Sequence, residues 1–140
     1  MADFIIDTSV VMKHFLNKEF TENADRLFDR LGDGVSRYIP SFCLVECTNV
    51  LWARVRFDSM PEREALILLE DLANLPFAIT PIEDLLPRAL QIGLAHQLPI
   101  YDSVYIALAE KYNYPLISAD AKQTAAAKTV GVTLKPITDF

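Results

Sequence analysis

Four acidic residues stand within apolar stretches of the chain, where a carboxylate is costly to desolvate unless something compensates it. They are Asp7 in FIIDTSVV, Glu46 in FCLVECTNVLW, Asp102 in LPIYDSVYIALA and Asp120 in PLISADAK. No matching set of Lys or Arg is embedded beside them. The pattern predicts that the four carboxylates converge on a cation. A set made only of oxygen ligands favours a hard divalent ion, Mg²⁺ or Mn²⁺.

The elements that must position these acids are short apolar runs alternating with longer periodic segments. Strands are predicted at Phe4–Ile6, Tyr38–Ile39, Phe77–Thr80, Leu116–Ser118 and Val132–Leu134. Helices are predicted at Ser9–Asn17, Thr21–Leu31, Phe42–Phe57, Pro61–Asn74, Asp84–Gln97, Ser103–Tyr112 and Ala121–Thr129. The alternation predicts an α/β protein with a mainly parallel sheet of about five strands, covered by helices on both faces.

Each acid also has a purely structural explanation. Asp7, Asp102 and Asp120 precede predicted helices, where an Asp commonly caps the first turn. Glu46 lies inside a predicted helix, where it would belong to a polar stripe; Asn49 shares its face and is placed to hold Glu46 or a metal-bound water. Ligands of open parallel sheets bind at the carboxyl ends of the strands. Separate caps do not explain why the two strand-end acids are both expected at that edge.

Composition and charge restrict the classes of protein that fit. The chain has 140 residues, 51% of them hydrophobic and 23% charged, which predicts a single globular domain over residues 1–140. The net charge of −6 argues against a simple basic nucleic-acid binder. It does not exclude a nuclease, because part of the negative charge would lie in the metal site and be neutralised there.

The cysteines and the N-terminus bear on the compartment. Cys43 and Cys47 are the only cysteines, and no nearby His or Cys completes a zinc set, so buried free thiols in a reducing cytoplasm are expected. The start MADFIID has no basic region or cleavage pattern of a signal peptide. No apolar run approaches the ~20 residues needed to span a bilayer, so no membrane association is expected.

Taken in chain order, the motifs resemble the PIN-domain family of metal-dependent ribonucleases, and within it the VapC-type toxins of toxin–antitoxin pairs. The resemblance rests on IIDTSVV, PSFCLVECTNVL, PIYDSVYIALAEKY and PLISADAK, and it covers essentially the whole chain. It implies that the family's acidic ligands correspond to Asp7, Glu46, Asp102 and Asp120. Its accessory hydroxyl corresponds to Thr8 or Ser9, and we favour Ser9.

The same resemblance implies a PIN-like α/β/α sandwich that hydrolyses RNA phosphodiester bonds with Mg²⁺ or Mn²⁺. It also implies a small antitoxin as partner and a homodimer, for which Phe42, Trp52 and the LILLEDL helix offer apolar surface. Some relatives carry another acid shortly after the last Asp, where this chain has Ala121 and Lys122. One ion and two ions therefore both stay open.

Two other classes of protein also carry acids near the first strand, but the chain does not fit them. A haloacid-dehalogenase-like phosphatase requires a second Asp two residues after the first, where this chain has Ser9. A receiver domain requires an acidic pair near the first strand, and Asp3 and Asp7 are wrongly spaced for it. Two alternatives stay open within the resemblance: a degenerate PIN-like module that binds RNA or a partner without cleaving, and a housekeeping ribonuclease that is not a toxin.

Overall fold

Four parallel strands form the sheet at the centre of the computed structural model, which describes residues 3–16, 21–29 and 36–140. The strands are β1 (Asp3–Ile6), β2 (Ser36–Pro40), β3 (Ala78–Thr80) and β4 (Leu116–Ile117). Their order is β3-β2-β1-β4, and all three neighbouring pairs are parallel. β1 and β4 are therefore adjacent, although more than 100 residues separate them along the chain. Their carboxyl ends lead into Asp7 and Asp120 at one edge of the sheet.

Helices occupy most of the chain between the strands. They are α1 (Thr8–Phe15), α2 (Thr21–Asp29), α3 (Cys43–Phe57), α4 (Glu62–Ala73), α5 (Leu86–His96), α6 (Ile100–Tyr112) and α7 (Ala121–Val130). Two short 3-10 helices lie at Glu83–Leu85 and Ile137–Asp139. The α/β/α architecture predicted from the sequence is confirmed, because parallel neighbours require helical crossovers. The predicted end of the second helix, at Leu31, lies outside the described residues.

The sheet has four strands rather than about five. The predicted strand Val132–Leu134 is reduced to one parallel bridge, between Leu134 and Leu116. Leu116 donates its N–H to the carbonyl of Thr133 and accepts from the N–H of Lys135, at 2.9 and 3.0 Å. The pairing stops there because Pro136, which has no N–H, follows at once and leads into the last 3-10 helix.

The start of α6 also differs from the prediction. This helix begins at Ile100 with Pro99 as its N-cap, three residues before the predicted start at Ser103. Pro suits the beginning of a helix because it has no N–H to leave unsatisfied. Asp102 consequently lies in the first turn of α6 and does not cap it.

Helix α6 is buried along its middle, with seven consecutive buried residues from Ser103 to Ala109. A helix that is apolar on all sides is stable only inside a core, and α6 packs between α5 and the β1–β2 part of the sheet. Gly93 in α5 permits the close approach. A Cβ there would lie 2.9 Å from the carbonyl oxygen of Leu98 and 3.2 Å from Ser103 Oγ. This packing fixes the first turn of α6, which carries Asp102.

Candidate active site

Asp7 stands where β1 ends and α1 begins. It is the N-cap of α1, and its Oδ2 accepts hydrogen bonds from the N–H and the hydroxyl of Ser9, at 3.1 and 2.5 Å. The residue is only 5% exposed. Burial raises the pKa of the Asp7 carboxyl, and the hydrogen bonds from Ser9 and Gln123 oppose this rise. Asp7 is therefore a helix N-cap, as its structural explanation expected. Its buried surroundings also disfavour the charged form of its carboxyl group.

Asp120 occupies the equivalent place after β4. It is the N-cap of α7, and its Oδ1 accepts from the N–H of Gln123 at 2.8 Å. Ser9 links the two strand ends, because its hydroxyl oxygen accepts from the N–H of Ala119 at 3.1 Å while its proton goes to Asp7. The negative charge of Asp120 adds to the rise in the pKa of Asp7. The two acids are thus brought together at the sheet edge.

Glu46 lies in the first turn of α3 and is held by two hydroxyls. Thr8 Oγ1 and Tyr105 OH each lie 2.9 Å from Glu46 Oε1, and they are 2.6 Å from one another. Each hydroxyl has one proton, so only two of the three contacts carry a proton at any moment. Burial raises the pKa of the Glu46 carboxyl, and the charges of Asp7 and Asp102 raise it further.

Asp102 completes the acidic group from the first turn of α6. Burial raises the pKa of its half-buried carboxyl first, followed by the charges of Asp7 and Asp120, while Lys122 opposes the rise. Asp7 and Asp102 therefore interact electrostatically with both Glu46 and Asp120, so the four acids form one connected group. Mutual repulsion of this kind is relieved by a cation or by protonation.

The sequence did not single out Gln123, which connects three of these acids. Its side chain is fully buried. Nε2 lies 3.4 Å from Asp7 Oδ1 and 3.1 Å from the carbonyl oxygen of Asp102, and Oε1 accepts from the hydroxyl of Ser118 at 2.5 Å. The available signal was its place three residues after the cap Asp120, where a Gln usually returns to the start of its own helix. Here it reaches across to β1 and α6 instead.

Tyr105 was also missed. It lies in IYDSVYIALA, where it is one of several large residues of a core helix. The ring is fully buried, and burial raises the pKa of its phenol, so the hydroxyl stays protonated and is able to donate to Glu46. No pattern in the sequence distinguishes this tyrosine from an ordinary core residue.

A family comparison agrees with this geometry. The PIN domain family matches residues 4–129. The chain belongs to the PIN-domain family. The resemblance stated from the motifs is thereby confirmed at the level of the family and its fold. The matched range includes all four acids and both of the residues, Tyr105 and Gln123, that hold them.

Individual relatives of this PIN domain are distant. Ribonuclease VapC3 of Pyrobaculum aerophilum is 26% identical over 118 residues, which are 83% of this chain and 88% of that protein. The crystal structure of PAE2754 from the same organism has a TM-score of 0.76 at 17% identity, covering 99% of this chain and 92% of that one. A toxin–antitoxin complex from Klebsiella pneumoniae has a TM-score of 0.64 at 15% identity, covering 96% and 97%. The two structures show the fold.

The donor set fits a hard divalent cation in its chemistry. It consists of carboxylates with hydroxyls beside them, and Mg²⁺ and Mn²⁺ prefer such oxygen ligands. In the described part of the PIN domain, however, no three His, Cys, Asp or Glu side chains are arranged to hold one ion. Asp7 and Glu46 are turned toward hydrogen-bond donors of the protein instead. The type of ligand therefore fits, while the side chains rest in a hydrogen-bonded arrangement.

The two thiols lie beneath Glu46 in this PIN domain. Cys43 and Cys47 are free and buried, as expected from the sequence. Thr8 Oγ1 lies 3.5 Å from Cys43 Sγ. A hydrogen bond with Cys43, together with burial, raises the pKa of the Cys47 thiol, which argues against a nucleophilic role for it.

None of the helices within the described ranges is long and apolar enough to cross a membrane.

Proposed function

We propose that this PIN domain is a Mg²⁺- or Mn²⁺-dependent endoribonuclease and the toxin of a type II toxin–antitoxin pair. The observation that carries the proposal is the convergence of four carboxylates, three of which have their pKa raised by burial and by one another's charge. Such a cluster is costly to keep ionised without a cation. The name of the relative Ribonuclease VapC3 agrees with this chemistry.

The residues that would hold the ion are Asp7, Glu46 and Asp102, with Asp120 binding a second ion or polarising the attacking water. A divalent ion at such a site lowers the pKa of a coordinated water and stabilises the charge that develops on the phosphate. Ser9 is the accessory hydroxyl of the proposal, since it orients Asp7 and ties it to the segment that carries Asp120.

The residues around the acids keep each carboxylate in place. Thr8 and Tyr105 hold Glu46, and Gln123 holds Asp7 and the backbone of Asp102. These contacts supply positioning, so that the phosphodiester meets carboxylates of defined orientation. Asp120 is exposed, and it therefore offers the side from which RNA approaches the cluster.

The proposed partners follow from the family and from the charge. A small antitoxin is expected because the similar Klebsiella pneumoniae structure is a toxin–antitoxin complex, and a net charge of −6 suits a basic partner segment. We further propose that residues 1–140 form a single domain, that the protein is a cytoplasmic homodimer, and that it has no membrane partner.

The test is cleavage of total tRNA and rRNA fragments by purified protein with Mg²⁺, with Mn²⁺ or with EDTA. Asp102→Asn should lower cleavage by at least about 100-fold, because loss of a ligand exceeds the usual effect of residues around a metal site. Asp71→Asn, an exposed acid of α4, is the matched control and should leave cleavage unchanged. Cleavage that persists in EDTA, or in Asp102→Asn, would contradict the proposal.

A second candidate function is a PIN-like module that binds RNA or a partner without cleaving. It is favoured by the lack, in the described residues, of three side chains arranged for one ion. Binding of Mn²⁺ to the purified protein separates the two candidates. A protein that neither binds Mn²⁺ nor cuts RNA would be a binding module.

A further inference from the structure

A cavity of about 500 Å³ adjoins the acidic cluster on the side of Glu46. It is lined by Thr8, Phe42, Val45, Glu46, Asn49, Val50 and Tyr101. The five lining residues from position 42 to position 50 have the spacing of one helix face, so α3 and its N-cap form one wall. Tyr101, from the first turn of α6, forms the other wall. One lining residue, Glu46, is an acid of the cluster, and another, Thr8, donates a hydrogen bond to it, so the cavity borders the acids.

Two aromatic rings line the cavity: the ring of Phe42 is packed in place, and the ring of Tyr101 is accessible to a ligand. Phe42 is half-buried and meets Tyr105 edge to face, with ring centroids 5.6 Å apart. Tyr101 meets Phe42 at 5.1 Å and an interplanar angle of 73°. Tyr101 is nevertheless 59% exposed. It therefore retains a free surface on which a flat ring can stack, while its contact with Phe42 limits its movement.

The charges of the lining exclude a phosphate as occupant. None of the seven described lining residues is a Lys or Arg, and the one charged group is the Glu46 carboxylate. The uncharged polar side chains of the lining are those of Thr8, Tyr101 and Asn49, and Asn49 is exposed. An Asn amide has both donors and an acceptor, which suits the hydrogen-bonding edge of a planar, uncharged ring.

We propose that this cavity is a nucleobase subsite, which takes one unpaired base of an RNA strand whose neighbouring phosphate lies at the acids. The inference rests on the proposed ribonuclease function. Single-stranded RNA is recognised by stacking unpaired bases on aromatic side chains and by contacts to their edges, and Tyr101 and Asn49 supply these two kinds of contact. A base paired within a helix cannot enter, so the subsite selects loops and single strands.

An aromatic side chain of a protein partner is the competing occupant. The base is favoured because Glu46, one of the carboxylates at which the proposed reaction places a phosphodiester, lines the cavity. The polar contacts of Asn49 also match a base edge better than a hydrocarbon ring.

The test uses the four uncharged ribonucleosides as probes, because a phosphate would be repelled by the acids without a cation; they are titrated in EDTA into isotope-labelled protein and followed by NMR. At least one should shift the Asn49 side-chain amide and the Tyr101 ring. Tyr101→Ala should weaken that binding about tenfold, within the usual effect of losing one stacking contact. Tyr101→Phe should keep it, since the ring remains. Tyr112→Ala removes a 39% exposed tyrosine at the other end of α6, and it should change nothing.

Three results would overturn the subsite. They are shifts confined to other surfaces, equal binding by Tyr101→Ala and the unaltered protein, and tighter binding of N-acetyltyrosinamide than of any nucleoside at the same residues. The last would assign the cavity to a protein partner. The cleavage assay separates the two proposals. Nucleoside shifts without any cleavage would leave the subsite standing and remove the ribonuclease function, whereas cleavage without the shifts would do the reverse.

Discussion

At the scale of single residues, the orientation of Gln123 is decided by its partners. Ser118 donates to Oε1, so Nε2 faces Asp7 Oδ1 and the carbonyl oxygen of Asp102, which are both acceptors. The flipped amide would place an oxygen against a carboxylate, which is unfavourable. Gln123 therefore delivers a donor to the most buried acid of the cluster, and this stabilises the charged form that binds a cation.

Removing this donor should weaken metal binding. Gln123→Leu keeps a side chain of similar volume in the core, but it leaves Asp7 and the carbonyl oxygen of Asp102 without the N–H donor that they share. We expect Mn²⁺ to bind about tenfold more weakly, the lower end of the effect of residues that orient metal ligands. Isothermal titration calorimetry of the metal-free protein measures it. Gln91→Leu, an exposed Gln of α5, is the control, and equal affinities in all three proteins would contradict the role.

At the scale of elements, two helix starts serve the cluster directly. Asp7 and Asp120 are the N-caps of α1 and α7, so capping and cation binding are compatible functions of the same residues. Asp120 uses Oδ1 for the cap, and its Oδ2 accepts no hydrogen bond from the described residues. The N-terminus of a helix also favours a negative charge beside it. The backbone hydrogen bond of the α1 cap therefore opposes the rise in the pKa of Asp7, and each of the two caps fixes the direction of its carboxylate.

The two functions of Asp120 can be separated by substitution. Asp120→Asn keeps a capping side chain and should change the free energy of unfolding by less than about 0.5 kcal/mol, whereas Asp120→Ala should lower it by about 1 kcal/mol. Both variants should lose cleavage if the carboxylate acts in the reaction. Urea unfolding and RNA cleavage, measured on the same preparations, check this. Full cleavage by Asp120→Asn would restrict Asp120 to a cap.

At the scale of the whole molecule, the acidic cluster makes stability depend on pH. The pKa values of Asp7, Glu46 and Asp102 lie above the unfolded-chain values of 3.8 for Asp and 4.5 for Glu. When the pH rises past those values, the unfolded chain releases these protons first, so the folded state loses stability. Asp84 and Glu110, paired with Lys111 and Arg88, have lowered pKa values and act in the opposite sense at more acid pH.

We therefore expect the contribution of the cluster to the free energy of unfolding, in EDTA, to decrease as the pH rises from about 4.5 toward neutrality. Asp7→Asn should reduce this slope, because the most buried of the three titrating groups is gone. Mn²⁺ should also reduce it, since the ion binds the ionised carboxylates. Urea unfolding at several pH values measures the slope, and an identical slope in Asp7→Asn would show that Asp7 does not contribute.

The exposed apolar surface bears on assembly. Trp52, Phe57 and Leu66 are 57%, 67% and 60% exposed, and we call them the α3–α4 patch, since Trp52 contacts the Phe57 ring and lines one groove with Leu66. Phe42, also expected to offer surface for a dimer, is half-buried and packs against the core. The LILLEDL segment is divided, with Leu66 and Ile67 exposed and Leu72 buried. An apolar area of this kind on a surface commonly marks a protein interface.

If the α3–α4 patch forms the proposed homodimer, charges placed in it should dissociate the dimer. Trp52→Glu combined with Leu66→Glu should sediment as a monomer, because burying two unpaired carboxylates at an interface is unfavourable. Leu94→Glu, at a 73% exposed leucine of α5, is the control. A monomeric control beside a dimeric double variant would place the interface on α5 and contradict the assignment.

Sequence patterns alone were enough to predict the α/β architecture, the family and the four candidate acids. This was possible because strand runs, helix periodicity and acids inside apolar runs are local patterns, each legible within about ten residues. The last predicted strand, Val132–Leu134, was harder to predict, since the single bridge at Leu134 depends on where the chain turns. The start of α6 was misplaced because Ile100 and Tyr101, between Pro99 and Asp102, look like an extended segment.

The way in which the acids are held depends on contacts between residues that are far apart in the sequence. The contact of Gln123 with Asp7 spans 116 positions and that of Tyr105 with Glu46 spans 59. Both depend on the adjacency of β4 and β1 and on the burial of α6 beside them. No local pattern encodes such pairs. A Gln or Tyr in the sequence shows that a polar group is present, but its hydrogen-bond partner is known only once the fold has placed another side chain opposite it.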